Sequence, residues 1–251
     1  MTDGPLFLAT LRLADDALVL GHRLSEWCGH APVLEEDLAL ANLGLDLIGQ
    51  ARSLYSYAGT VEGRGRDEDQ LAYLRREGEY RNLLLVEQPN GDFAVTMTRQ
   101  LLFSAFMHPF HVAMKASSDP TLAAIAAKAE KEMAYHVRHT GEWLIRLGDG
   151  TAESHRRAQA ALDELWPYSG ELFEVDEAMR AAIEAGFVPD PEAIRPRFDE
   201  TIDHVLAEAT LNKPKVGAFQ AGGRAGRHSE HMGFLLADLQ YMQRTYPNAT
   251  W

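Results

Sequence analysis

The chain has 251 residues, 46% apolar and 9% aromatic, which suits a helical globular protein with a sizeable core. Its 24 basic and 37 acidic residues leave a formal charge of −13, a field that repels phosphate backbones and anionic headgroups, so neither nucleic acid nor a membrane is expected as a partner. The single cysteine, Cys28, excludes an internal disulfide framework, apolar runs stop well short of the ~20 residues that span a bilayer, and no export signal is recognisable, which together point to the cytoplasm.

Residues 6 to 27 carry Leu11, Ala14, Leu18, Gly21 and Leu24 at helical spacing, predicting a first helix that stops at "CGHAP". A second helix opens on Glu35, Glu36 and Asp37, carboxylates suited to its positive end, and runs to Gly59. It is apolar almost all round, with only Asn42, Asp46 and Ser53 as a polar stripe, so it should be buried on several sides, within this chain or under a partner. The stretch "GTVEGRGRDEDQLAYLRR" reads as a loop with a short helix, and "RNLLLVEQPNGD" as irregular. Asp92 then caps a third helix reaching about Lys115, which Pro109 should kink. Asp119-Pro120 opens a fourth that Gly148 to Gly150 ends. Shorter helices follow at about 153 to 165, 176 to 185, 194 to 211 and 229 to 244.

Two long antiparallel hairpins joined by a long connection are the layout of an all-α, ferritin-like four-helix bundle with one crossover. The expected organisation is a single domain over 1–251, with a core bundle at about 5–148 and peripheral C-terminal helices at about 150–251. Di-iron carboxylate bundles place one Glu on each of two helices and Glu-x-x-His on each of the other two. In this chain the two Glu-x-x-His frames fall on Leu47/Gln50 and Met133/His136. Folding the first hairpin near residues 30 to 32 sets Leu47 opposite Asp15 to Ala17, and folding the second near Ser118 sets Met133 opposite Ser104. An alkyl chain, an amide, a hydroxyl and a thioether do not hold iron as carboxylates and imidazoles do. Leu47, Gln50, Ser104, Met133 and His136 are therefore candidate positions of a degenerate metal site, or plain core residues of a bundle that never bound metal.

Other ligand sets compete. Glu132/His136, His108/His111 and His228/Glu230/His231 are dense, although "AEKEMAYH" reads as a solvent face. Lone Cys28 near His30 is weak support for a nucleophile, and no Gly-x-Gly-x-x-Gly or P-loop is present. The basic clusters Arg64/Arg66, Arg75/Arg76, His155/Arg156/Arg157 and Arg224/Arg227 read first as solvated faces.

Long blocks, among them "RLADDALVLGHRLSEWCGHAPVLEEDLALANLGLDLIGQAR", "EGRGRDEDQLA", "RNLLLVEQPNGDFA", "AAIAAKAEKEMAYHVRH", "EWLIRLGDGT" and "EHMGFLLADLQYMQRTYP", resemble those of one family. It is the non-catalytic C subunit of the bacterial ring 1,2-phenylacetyl-CoA epoxidase, a multicomponent oxygenase of aerobic phenylacetate breakdown. The resemblance implies a ferritin-like fold, no catalytic or metal residue and no cofactor in this chain, and a structural role beside a catalytic A subunit that carries the di-iron centre. It also implies contact with the other epoxidase subunits, among them a reductase that passes electrons from NADPH through FAD and an iron-sulfur centre. In the A subunit, Glu-x-x-His is implied where this chain has Leu47/Gln50 and Met133/His136. The rival reading is a di-metal carboxylate oxidase with a displaced ligand set.

Overall fold

The computed structural model describes residues 4–215, 218–247 and 249. Its regular structure among these residues is all helical: α1 (Pro5–Ser25), α2 (Leu34–Glu62), α3 (Glu68–Tyr73), α4 (Leu84–Glu87), α5 (Phe93–Met114), α6 (Pro120–Gly148), α7 (Ala152–Leu165), α8 (Glu177–Glu184), α9 (Pro191–Glu208) and α10 (Glu230–Thr245). Short 3-10 turns lie at Glu77–Glu79, Trp166–Phe173 and Gly223–Ala225. The chain divides into two compact units. One holds the described residues up to His30, Glu35–Pro89 and those from Gly222 on; the other holds Ala31–Leu34 and Asn90–Ala221.

In the first unit α1 and α2 run antiparallel and close. A Cβ placed on Gly21 would lie 3.2 Å from the Gly44 carbonyl and 3.3 Å from Leu47 Cβ, so the absence of a side chain at Gly21 lets the two backbones approach. Gly21 thus meets Gly44 and Leu47, and Asp15 reaches Tyr55, whose hydroxyl donates to it at 2.6 Å. This corrects the expected register, which set Leu47 against Asp15 to Ala17, by about one helical turn. The close contact at Gly21 sets the observed register, and the end of the turn after α1 is tied to the first turns of α2. There the Gly29 N–H donates to Asp37 Oδ1 at 2.7 Å.

α2 also runs past its expected end at Gly59. Glycine serves there not as a terminator but as a site of close approach, because a Cβ on it would sit 2.1 Å from the Arg66 carbonyl. The terminating residue is Gly63, at φ +68. α2 buries Leu40, Leu43, Leu47, Leu54 and Ala58, but Leu38 and Leu45 are 58% and 65% exposed and Ile48 38%. One side of this almost wholly apolar helix is therefore open. The short helix foreseen after it is α3, held by an Asp67–Gln70 capping box. The segment expected to be irregular contains a buried turn, α4.

The second unit is built on the α5–α6 hairpin, with α7 and α9 packed against both helices. Asp92 caps α5 through the Val95 N–H, and Asp119 caps α6 through the N–H groups of Thr121 and Leu122. α6 buries Leu122, Ala126, Ala129, Met133, His136, Thr140 and Leu144, a regular three/four repeat. α5 is buried over most of its surface and continues through Pro109 to Met114. Phe106, Phe110, Phe173 and Phe198 form an aromatic core beside it, with ring centroids 5.3–5.5 Å apart. α9 begins earlier than expected because Asp190-Pro191 supplies a cap followed by a first-turn proline.

The 3-10 turn at Gly223–Ala225 lies against residues 78–84 within the first unit, where a Cβ on Gly223 would stand 2.0 Å from the Asn82 carbonyl. Gly223→Ala therefore forces backbone apart and should cost roughly 1–3 kcal/mol. Gly78→Ala, whose Cβ would meet only the Gly226 carbonyl at 3.9 Å, should stay within about 0.5 kcal/mol. Urea unfolding of the two variants checks this; equal stabilities would show that the turn does not dock as described.

Candidate functional site

α1 carries two adjacent carboxylates into the interior of the first unit, and both meet cations. Asp15, with its side chain fully buried, accepts from the Tyr55 hydroxyl, from the Arg81 backbone N–H at 2.7 Å, and from both terminal nitrogens of Arg75. Arg75 is fixed in turn by the carbonyls of Leu71 and Glu79, and its guanidinium lies 4.2 Å from the Tyr80 ring centroid. Asp16 accepts from the Leu83 N–H at 2.8 Å and from Arg224 at 2.8 and 3.1 Å. Burial pushes the Asp16 carboxyl up to about 6, with Arg224 and the Leu83 N–H opposing.

A third buried carboxylate, Glu87, accepts from Asn82 Nδ2 at 3.1 Å, from the Ser229 N–H at 2.6 Å and from His228 Nδ1 at 2.8 Å. The other ring nitrogen of His228 lies 3.2 Å from the Tyr80 carbonyl. With a carboxylate at one ring nitrogen and a carbonyl at the other, the site favours the doubly protonated, charged form of the ring. Burial pulls this histidine down, but the hydrogen bond and charge of Glu87 outweigh it and the net shift is upward. Donors within the chain surround these three carboxylates. What the network does chemically is tie residues 75–87 and 224–229 to α1.

The five positions of the di-iron frame fall in both units. Leu47 and Gln50 lie on the buried face of α2 in the first unit, Leu47 with no exposure and Gln50 at 6%. Ser104, Met133 and His136 are fully buried in the second unit. There Gln100 pairs with His136 at 3.0 Å, which aligns α5 and α6 in the register expected for Ser104 and Met133. The Ser104 hydroxyl donates back to the Leu101 carbonyl of its own helix. Of the five side chains only His136 is an iron ligand by type, so this donor set does not fit a di-iron centre.

The competing sets are dispersed. Glu132 pairs with Lys128 and Glu130 with Lys115, while His136 turns inward to Gln100. His108 faces Glu130 at 3.9 Å, whereas His111 is buried and burial pulls its imidazole down to about 4, with His108 adding to the shift. His228 is engaged by Glu87, and Glu230 opens α10. Among the described residues no three His, Cys, Asp or Glu side chains gather as a metal site. Cys28 is exposed, and His30 Nδ1 contacts its carbonyl at 3.1 Å.

The basic clusters separate into two kinds. Arg64 and Arg66 share Glu62, and Arg156 and Arg157 share Glu153, which they hold down at about 2. Arg75 and Arg224, by contrast, are not solvated faces but the counter-ions of Asp15 and Asp16. The sequence signal for this was present: "ADDA" puts two acids inside an apolar helical run, where ionised groups need partners.

The all-helical architecture is that of the ferritin-like class. The family described as phenylacetic acid catabolic protein matches residues 2–251, and the chain belongs to that family. It is 50% identical over 242 residues, 96% of this chain and 97% of the relative, to the C subunit of the 1,2-phenylacetyl-CoA epoxidase of Escherichia coli (strain K12). No helix among the described residues is long and apolar enough to cross a membrane.

An imidazolium favoured by the fold contributes its full stability below the ordinary value of 6.5 and loses it as pH rises through the higher folded value. His228→Gln should therefore cost roughly 1–3 kcal/mol below pH 6.5, with the gap to wild type closing as pH rises. Urea unfolding across pH measures it, and a gap independent of pH would mean a neutral ring. Asp16 acts on a separate window: its raised value makes the native state bind the proton first, so its contribution falls as pH climbs from about 4 to about 6.

Leu47→Glu places a carboxylate where nothing is exposed, and should destabilise by roughly several kcal/mol at neutral pH. Protonation at its raised folded value should relieve the cost as pH falls. Met133→Leu, which conserves volume, should cost less than about 1.5 kcal/mol. A Leu47→Glu chain as stable as wild type at pH 7, measured by urea unfolding, would contradict the burial of α2 described above.

Proposed function

We propose that this chain is a non-catalytic, structural subunit of a multicomponent 1,2-phenylacetyl-CoA epoxidase, pairing with and stabilising the di-iron A subunit. That partner epoxidises the aromatic ring of phenylacetyl-CoA with O2, and electrons reach it from NADPH through the FAD and iron-sulfur centre of the reductase. The observation that carries the reading is the 50% identity to the C subunit of an epoxidase along 96% of the chain. It is supported by the chemistry of the ligand frame. Leu47 and Met133, at positions where a di-iron bundle keeps carboxylates, are fully buried apolar side chains. Leu47, Gln50, Ser104, Met133 and His136 are, in this proposal, the remains of a metal site whose chemistry belongs to the partner.

The chain mixed with the di-iron subunit should elute from size exclusion as one complex, while the chain alone turns over no phenylacetyl-CoA. After expression with added iron it should hold no stoichiometric iron or manganese by elemental analysis. Two metal ions per chain that survive desalting would favour a di-metal oxidase with a displaced ligand set. Two independent peaks from the mixture would remove the structural role.

A further inference from the structure

A cleft in the first unit, between residues 76–77 and α10, holds about 360 Å³, within the roughly 300–1,000 Å³ usual for small-molecule sites. Its polar groups are fixed from behind. Gln240 lines the cleft yet is only 3% exposed, and its amide nitrogen donates to the Arg75 carbonyl and to the Tyr80 hydroxyl, each at 3.0 Å. Only the nitrogen can donate to that carbonyl, so the carboxamide oxygen faces away from it, and that oxygen accepts no hydrogen bond among the described residues. A buried acceptor normally has a donor. Arg244 donates Nη2 to the same Arg75 carbonyl at 2.9 Å, which sets its guanidinium beside the carboxamide. Arg76 and Glu77 add a guanidinium and a carboxylate, neither in an ion pair among the described residues. Leu236 and the Tyr241 ring give an apolar wall. Gly233 leaves the space free: glycine within a helix costs about 1 kcal/mol against alanine, and a Cβ here would point to Glu77, 3.3 Å from Oε2.

We propose that this cleft binds a free α-amino acid with an apolar side chain, its carboxylate on Arg244 and Arg76, its ammonium between the Gln240 oxygen and Glu77, and its side chain against Leu236 and Tyr241. The pattern of donors and acceptors selects a zwitterion. A phosphate or a plain carboxylate would meet Glu77 and leave the Gln240 oxygen without a donor, and a plain amine would face two guanidiniums. An α-amino acid carries both charges a few bonds apart and matches both pairs at once. The inference is independent of the subunit role proposed above.

Calorimetry on the full chain tests it with L-leucine, with isocaproate, which is leucine without its amino group, and with isoamylamine, which is leucine without its carboxylate. L-leucine should bind with a Kd of about 1 mM or tighter, and each analogue at least about ten-fold more weakly. Glu77→Gln should weaken leucine about ten-fold. Gly233→Leu, which puts a side chain into the cleft, should abolish binding while the chain melts no lower than wild type. The proposal is overturned if L-leucine gives no binding at concentrations well above 1 mM, about the limit set here. It is also overturned if isocaproate binds as tightly as leucine, which would make the cleft a plain carboxylate site, or if Gly233→Leu binds leucine as wild type does. Should Gly233→Leu not fold, Glu77→Gln decides, since Glu77 is exposed and holds no other group: unchanged leucine affinity there overturns the proposal.

Discussion

Placing Asp15, Asp16 and Glu87 inside one helical unit would cost several kcal/mol for each charge if water were not replaced by something equivalent. The replacement comes from far along the chain. Arg75 is 60 residues from Asp15, Arg224 is 208 from Asp16, and His228 is 141 from Glu87. Apolar contacts would hold these segments together in many offsets, since burial of apolar surface has no direction. Guanidinium on carboxylate and an imidazole ring between a carboxylate and a carbonyl do have direction. They fix where the 75–87 segment and the 222–229 segment sit on α1. The close approach of Gly223 to the Asn82 carbonyl follows from that fit, since Arg224 beside it reaches both Asp16 and the carbonyl of Arg81.

Much of the helical skeleton was legible because local signals determine it. Asp92, Asp119 and Asp176 stand before apolar repeats and cap the helices expected there. The misreadings are places where tertiary contact decides. Gly59 has the composition of a helix end, yet it marks the approach of another backbone, which no local pattern encodes. The register of the first hairpin is set by the close approach of Gly21 to Gly44 and Leu47, a tertiary contact that no local pattern encodes. The second was legible because Ser117 to Asp119 forms a tight turn and leaves little freedom. Spacing placed Leu47, Gln50, Met133 and His136 on the inner faces of their helices, and all four are buried. Spacing could not pair Asp15 with Arg75 or Asp16 with Arg224, because nothing local links residues so far apart.

α2 shows the same limit from the other side. A helix apolar almost all round lacks the contrast that tells which face goes inward, so its sequence predicts cover on several sides without naming them. Gly21 of α1 settles the inner face: a Cβ there would stand 3.1–3.3 Å from Ile48, the Gly44 carbonyl and Leu47, so the side of α2 that carries these residues is the one that meets α1. Leu38 and Leu45 then lie outward, and Ile48 sits at the edge of the contact, half covered by α1. Their exposure follows from backbone packing as much as from hydrophobicity.

Two solutions to one electrostatic problem coexist in this chain. Where a counter-charge arrives from a distant segment, the buried acid is kept, as at Asp15, Asp16 and Glu87. On the inner faces of α2 and α6 the fully buried side chains include Leu47 and Met133, neutral groups that need no counter-charge. A carboxylate there without metal would have to shed its charge by taking up a proton or push its helix toward water. The difference at these positions is one of availability: Asp15, Asp16 and Glu87 stay in the interior where the chain's topology delivers their partners, and the residues that deliver them, Arg75, Arg224 and His228, lie outside the long helices α1, α2, α5 and α6.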